Sequence, residues 1–126
     1  FIGTESAVDV PADMLHYGAT KSGALAVANG LAKLTRGTAV TVNTILGGPT
    51  YSDGVAGTVQ GIAQAQGMNE HDLKGAIMAQ RRSSLLERFI EPGEIAALAV
   101  FLASPLSSAI NGAAVRADGG VLTTTT

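Results

Sequence analysis

Short apolar runs alternate with helical patterns along this 126-residue chain, and this alternation limits the fold more than any other feature. The stub at 1–6 and the runs at 39–46 and 113–117 are typical of buried strands, because they are short, mostly apolar and bounded by turn residues. Helical patterns occupy 14–36 and the segment that begins at Pro92. Helical crossovers of this kind join parallel strands, so the sequence predicts an α/β fold with a parallel sheet.

The first predicted helix begins after Asp13, a candidate N-cap, and has glycines in its interior that each cost about 1 kcal/mol relative to alanine. Such a helix needs tertiary packing to persist. Small residues along it would let another helix approach closely, as in a subunit interface, although packing on a sheet explains them equally well. They are Gly18, Ala19, Ser22, Gly23, Ala26 and Asn29. The region 47–83 is predicted to hold one or two short helices, around 55–66 and 70–80.

Composition excludes several classes of partner. Charged residues are only 14% of the chain, the formal charge is −2, and no run of like charges marks a nucleic-acid or acidic-membrane surface. There is no cysteine, and the two histidines are far apart in sequence, so no metal site is predicted. No apolar run approaches the ~20 residues that span a bilayer. We expect a cytoplasmic protein whose ligand is a small molecule or another subunit.

Tyr17 and Lys21 are the strongest candidates for chemistry. Residues four apart share one face of a helix, so both side chains can point into the same cleft. A nearby ammonium group favours the phenolate form of a tyrosine, which makes such a pair a workable general acid–base device. This spacing is common by chance, so the residues around the pair must decide its meaning.

Further motifs occur around this pair in a definite order. They are Thr4 and Ser6, the run at 39–46, the segment at 47–50, Pro-Gly-Glu-Ile-Ala at 92–96 and Val-Arg-Ala-Asp-Gly-Gly at 115–120. The ordered set resembles the short-chain dehydrogenase/reductase family over essentially the whole chain. The resemblance implies the carboxy-terminal part of a Rossmann-like doubly wound parallel sheet, its last three strands with two long helices. We therefore expect one partial domain over 1–126, with the amino-terminal dinucleotide-binding half absent.

The resemblance also implies roles for individual residues. Tyr17 would exchange a proton with the substrate, and Lys21 would bind the nicotinamide ribose of NAD or NADP. Thr4, 13 residues before Tyr17, occupies the place of the family's catalytic serine. Ser6 could substitute for it, since residues two apart share a strand face if the stub stays extended.

Cofactor contacts are implied for Tyr17, Lys21, Gly48, Thr50 and Ser52. A turn exposed to solvent is the alternative interpretation of Thr50 and Ser52. Gly47 replaces a proline that the family commonly has, and the loss of that restraint is expected to loosen the loop.

The sequence and the resemblance leave two hypotheses for the function. The first is an NAD(P)-dependent oxidoreductase acting on a carbonyl/alcohol pair, inactive as this fragment alone and assembled as a homodimer or homotetramer through the first helix. The second is a non-catalytic relative that serves as a binding or scaffolding module. Arg81 and Arg82 could contact an anionic substrate, or they could be a solvated pair.

Overall fold

A three-stranded parallel sheet forms the centre of the chain. The computed structural model describes residues 1–80 and 84–125. Its strands are β1 (Ile2–Thr4), β2 (Thr44–Gly47) and β3 (Ala114–Ala117), which lie side by side in that order. Both pairings are parallel, so the predicted α/β class is confirmed.

The carboxyl ends of the three strands meet at one edge of the sheet. Thr4 pairs with Gly47, which in turn pairs with Ala117. β2 is buried along its whole length, as a central parallel strand should be. Ligands of open α/β sheets bind outside this edge, which makes it the first place to look for a site.

Four α-helices and two short 3-10 turns connect the strands in the described part of the chain. They are α1 (Leu15–Leu34), α2 (Asp53–Gln66), α3 (Glu70–Gln80) and α4 (Pro92–Leu102), with 3-10 turns at Glu5–Ala7 and Pro105–Ser107. α1 and α4 are the two helices that the sequence predicts as long. α2, in the region predicted to hold short helices, is also long, at 14 residues. Arg81 and Arg82 lie outside the described residues. Within 1–80 and 84–125, no helix has the length and apolar character to cross a membrane.

α1 and α4 cover opposite faces of the sheet. Thr44 borders a cavity beside α1, whereas Ile45 borders a cavity beside α4. Consecutive side chains of a strand point to opposite faces, so the two helices must lie on different sides. α2 and α3 instead pack on each other, around Val59, Ala63 and Leu73.

β2 begins at Thr44, five residues later than predicted. Before it, the amide of Val42 donates to the side-chain oxygen of Asn111 at 2.8 Å, so a side chain replaces the strand ladder there. The Asn43 side chain also bridges to the backbone of Ile110 and Ala113, at 2.8 and 3.0 Å. Contacts between distant parts of the chain therefore shorten the strand.

The start of α1 also differs from the prediction. The N-cap is Met14 rather than Asp13, and no side-chain hydrogen bond caps this helix. A Cβ at Gly18 would lie 2.4 Å from Cγ1 of Val10, so this glycine admits the loop that precedes the helix. Gly23 has no such neighbour within 4 Å among the described residues. A subunit interface along the rest of the helix stays a prediction.

Candidate active site

A cleft of about 730 Å³ opens at the carboxyl ends of the strands. Its walls bring together every residue predicted for catalysis or cofactor contact. They are Thr4, Ser6, Tyr17, Lys21, Gly48, Thr50 and Ser52. The volume falls within the range of small-molecule sites. Two smaller cavities of about 400 and 390 Å³ lie on the faces of the sheet, away from Tyr17 and Lys21.

Tyr17 and Lys21 lie half-buried on the first turns of α1. The Lys21 Nζ is 5.7 Å from the centre of the Tyr17 ring. The ammonium group thus flanks the ring while both side chains line the cleft. Neither side chain forms a hydrogen bond or ion pair with another described residue, so both polar ends are available to a ligand.

Thr4 ends β1 and also starts the turn that follows it. Its Oγ1 accepts a hydrogen bond from the Ser6 amide at 3.3 Å, which caps the 3-10 turn. The stub therefore does not stay extended as far as Ser6, and the condition for placing Ser6 on the same strand face as Thr4 fails. The hydroxyl of Thr4 donates to Oε2 of Glu5 at 2.5 Å.

Glu5 is the residue of this site that sequence reasoning missed. It is 7% exposed, between the buried Thr4 and Ser6, and it lines the cleft. Its Oε1 accepts a long hydrogen bond, 3.5 Å, from the Ser6 hydroxyl. No basic side chain pairs with it among the described residues. A carboxylate between two hydroxyl residues at a strand end was the available signal.

Gly47 and Gly48 have different surroundings. Gly47 is the last residue of β2 and is buried, so it belongs to the strand, and the expected loosening of the loop that follows stays a prediction. Gly48 follows the strand and donates its amide to the carbonyl of Ala117 at 3.2 Å. A Cβ at Gly48 would lie 2.4 Å from the backbone oxygen of Asp118, so only glycine fits this approach of the two chain segments.

Thr50 and Ser52 lie on the segment that leads from β2 into α2. The Thr50 hydroxyl donates to the carbonyl of Gly48 at 3.0 Å, and Thr50 forms a parallel bridge with Ile90. Ser52 is the N-cap of α2, yet its side chain makes no capping hydrogen bond. Its hydroxyl and the first amides of α2 are therefore left for a ligand, and helix N-termini favour anionic groups.

Tyr51, between these two residues, ties the segment to α3. Its hydroxyl donates to Oε1 of Glu70 at 2.6 Å, and this hydrogen bond is the main reason that the pKa of Tyr51 rises to about 12. The Nζ of Lys74 lies 3.5 Å from the centre of the Tyr51 ring, and the ring of Phe89 packs at 5.3 Å. The segment is thereby fixed from the side away from the cleft.

The described residues form no candidate metal site. Across residues 1–80 and 84–125, no group of three or more His, Cys, Asp or Glu side chains could hold an ion.

Known proteins resemble almost the whole chain. Residues 2–122 match the family model described as enoyl-(acyl carrier protein) reductase. The uncharacterized oxidoreductase YvaG of Bacillus subtilis strain 168 is 42% identical over 123 residues, which are 97% of this chain and 47% of that protein. The uncharacterized oxidoreductase YvrD of the same strain is 39% identical over 122 residues, 96% of this chain and 46% of that protein. The chain thus spans about half the length of these curated relatives.

Solved structures share the fold. The crystal structure of L-sorbose reductase from Gluconobacter frateurii, complexed with NADPH and L-sorbose, superposes with a TM-score of 0.89 at 24% identity. The superposition covers 98% of this chain and 46% of the L-sorbose reductase chain. A short chain dehydrogenase family protein from Francisella tularensis subsp. tularensis SCHU S4 gives a TM-score of 0.84 at 23% identity, over 98% of this chain and 50% of that one. The likeness places the three strands in a Rossmann-like sheet.

Proposed function

The chain belongs to the short-chain dehydrogenase/reductase family, and from that premise we propose that it supplies the catalytic side of an NAD(P)-dependent oxidoreductase that interconverts a carbonyl and an alcohol. The observation that carries the proposal is the cleft at the carboxyl edge of the sheet, where Tyr17, Lys21 and Thr4 meet. Its relatives YvaG and YvrD are both described as oxidoreductases, which supports this class of activity.

The residues of the cleft fit the nicotinamide end of such a cofactor. The ammonium of Lys21 has no partner among the described residues and suits the ribose hydroxyls. Thr50 and Ser52 lie just before a helix whose N-terminus favours anionic groups. The structurally similar L-sorbose reductase was solved with NADPH. The chain has no glycine-rich loop for the pyrophosphate, so residues 1–126 act as a partial domain and the rest of the cofactor is held by residues outside them.

Proton transfer belongs to this chain's own residues. When bound, NAD(P) would supply the hydride chemistry, and Lys21, Thr50 and Ser52 are the residues placed to hold its nicotinamide end. The Tyr17 hydroxyl gives its proton to the substrate oxygen in reduction and takes it back in oxidation. The Lys21 ammonium, beside the Tyr17 ring, stabilises the negative charge that develops when the proton leaves. Thr4 holds the substrate oxygen through its hydroxyl once that hydrogen has turned from Glu5 to the substrate.

A non-catalytic binding or scaffolding module is the second candidate. One observation favours it: the Thr4 hydroxyl donates to Glu5 instead of projecting unpaired into the cleft. A carbonyl substrate has to compete for this hydrogen, whereas a module that only binds has no use for it.

Turnover of ketones by the natural full-length protein, followed by the absorbance of NADPH or NADH, tests the proposal. Thr4→Ala is expected to lower turnover by about 10²–10³-fold, as the loss of one donor does at oxyanion sites. Ser6→Ala is the matched control and should change turnover little, since Ser6 lies in the 3-10 turn. If Ser6→Ala lost turnover and Thr4→Ala did not, the catalytic hydroxyl would be that of Ser6. A wild type that neither binds NAD(P) nor reduces any ketone would favour the scaffold.

A further inference from the structure

Glu5 is a buried charge for which the proposed mechanism has no use. The residue is 7% exposed, and its carboxylate accepts hydrogen bonds from the hydroxyls of Thr4 and Ser6. Buried carboxylates are normally paired with a cation, because removing a charge from water is costly. The ion pairs of the described residues lie elsewhere, at Arg88–Glu94 and Arg116–Asp118. The charge of Glu5 is therefore not neutralised by a neighbour in this part of the chain.

The Glu5 carboxylate is bonded to the hydroxyl that the proposed function places at the substrate oxygen. The Oε2 of Glu5 is 2.5 Å from the Thr4 Oγ1. A substrate oxygen that takes the Thr4 hydrogen from Glu5 would lie about 2.7 Å from the same Oγ1, which puts the carboxylate within roughly 5 Å of it. A negative group on the carbon next to the reacting carbonyl would then lie about 6 Å from Glu5.

The rest of the cleft does not compensate for it. The charged side chains that line the cleft are Glu5, Asp13 and Lys21. Lys21 is the single cation among the described residues of the cleft, and under the proposed function it interacts with Tyr17 and the cofactor. The space left for the substrate is thus bounded by two carboxylates and no available cation of the described residues.

We propose that Glu5 determines substrate class by excluding carbonyl compounds and alcohols that carry a negative charge beside the reacting carbon, so that neutral ones are selected. The inference rests on the proposed function. Two negative charges about 6 Å apart repel, at an effective dielectric constant near 20, by an amount that corresponds to roughly a hundredfold in affinity. Water in an open cleft weakens this, so the expected discrimination is about tenfold.

Two small ketones isolate the effect. Pyruvate and 2,3-butanedione share an acetyl carbonyl and differ in whether a carboxylate or a second acetyl group follows it. In the full-length protein, Glu5→Gln keeps an acceptor for Thr4 and removes the charge. It is expected to raise kcat/KM for pyruvate relative to 2,3-butanedione by about tenfold over wild type. The intrinsic reactivities of the ketones cancel because the same ratio is compared between variants.

Asp13→Asn provides the matched control. It removes the same charge from an exposed position on the same cleft that has no hydrogen bond to Thr4, and it should move the ratio less than about twofold. Turnover with no shift of the ratio in Glu5→Gln would overturn the inference and leave the proposed function standing. Absence of ketone turnover in wild type would overturn the proposed function and the inference with it.

A measurement on wild type alone covers the case in which Glu5→Gln fails to fold. Isobutyramide and isobutyrate have the same shape, and only the second is charged. As competitive inhibitors of 2,3-butanedione reduction, the amide is expected to bind about tenfold more tightly than the anion. Equal inhibition, or tighter binding of the anion, would contradict the role of Glu5.

Discussion

Gly48→Ala is expected to destabilise the protein by about 3 kcal/mol, at the upper end of the cost of overpacking. The new Cβ would lie 2.4, 2.7 and 2.8 Å from the O, C and Cα atoms of Asp118. All three are backbone atoms, so no flexible side chain can turn aside. Asp118 is itself fixed, because its carboxylate accepts hydrogen bonds from the amides of Gly120 and Leu122, at 3.1 and 3.0 Å.

Gly47→Ala is the control, one residue away. A Cβ there would meet nothing closer than 3.7 Å, which is ordinary contact with the Gly3 carbonyl and the Ile95 side chain. Alanine also restricts the unfolded chain, so this variant should be neutral or up to about 1 kcal/mol more stable than wild type. The comparison separates a steric clash from a general intolerance of side chains at the strand end.

Urea unfolding followed by circular dichroism measures both variants. Gly48→Ala should shift the unfolding midpoint to a lower urea concentration with an unchanged slope. Gly47→Ala should leave the midpoint at the wild-type concentration or raise it. The cofactor affinity of Gly48→Ala should also fall, because the Thr50 hydroxyl is bonded to the Gly48 carbonyl. A Gly48→Ala protein within about 0.5 kcal/mol of wild type would refute the close approach to Asp118.

Two predictions concern pH. The Arg88 guanidinium holds the pKa of Glu94 at about 2, below its ordinary 4.5, so this pair stabilises the fold above pH 4.5 and the contribution is lost as the pH falls toward 2. In urea midpoints, Arg88→Met should therefore be less stable than wild type at pH 7 and approach it near pH 2; a constant gap would contradict the pairing. The hydrogen bond to Glu70 raises the pKa of Tyr51 from 10.0 to about 12, so its contribution is complete below pH 10 and is lost toward pH 12. Tyr51→Phe should be less stable than wild type below pH 10, and a difference that persists undiminished toward pH 12 would argue against that bond.

The order of elements and the position of the cleft could be predicted because both depend on local patterns. Helical spacing and short apolar runs identify α1, α4 and the strands without knowledge of their neighbours. Once the sheet is parallel, residues that follow the strands must gather at one edge. Tyr17, Lys21 and Thr4 line one cleft; the spacing of Tyr17 and Lys21 predicts their shared helix face, whereas the place of Thr4 was implied by the family resemblance.

Features that depend on distant contacts could not be predicted. The late start of β2 depends on Asn111, which is 69 residues from the amide of Val42 that it binds. The burial of Glu5 depends on the packing of α1 over the 3-10 turn, where the Ser22 hydroxyl donates to the Ala7 carbonyl at 2.7 Å. The position of Glu5 between two hydroxyl residues could have suggested a site residue but not a buried one, because a charged residue next to a strand end is ordinarily exposed.

Turnover of the full-length protein with Tyr17→Phe, measured together with its affinity for NADPH and NADH, tests most directly whether the Tyr17 hydroxyl moves the proton. The substitution removes the hydroxyl and keeps the ring beside Lys21. We expect turnover to fall by about 10²–10⁴-fold, the usual contribution of a general acid–base group, with cofactor affinity nearly unchanged. Lys21→Ala, as a comparison, should lower both. A Tyr17→Phe protein that retains most of its turnover would contradict the assignment of this cleft as the active site.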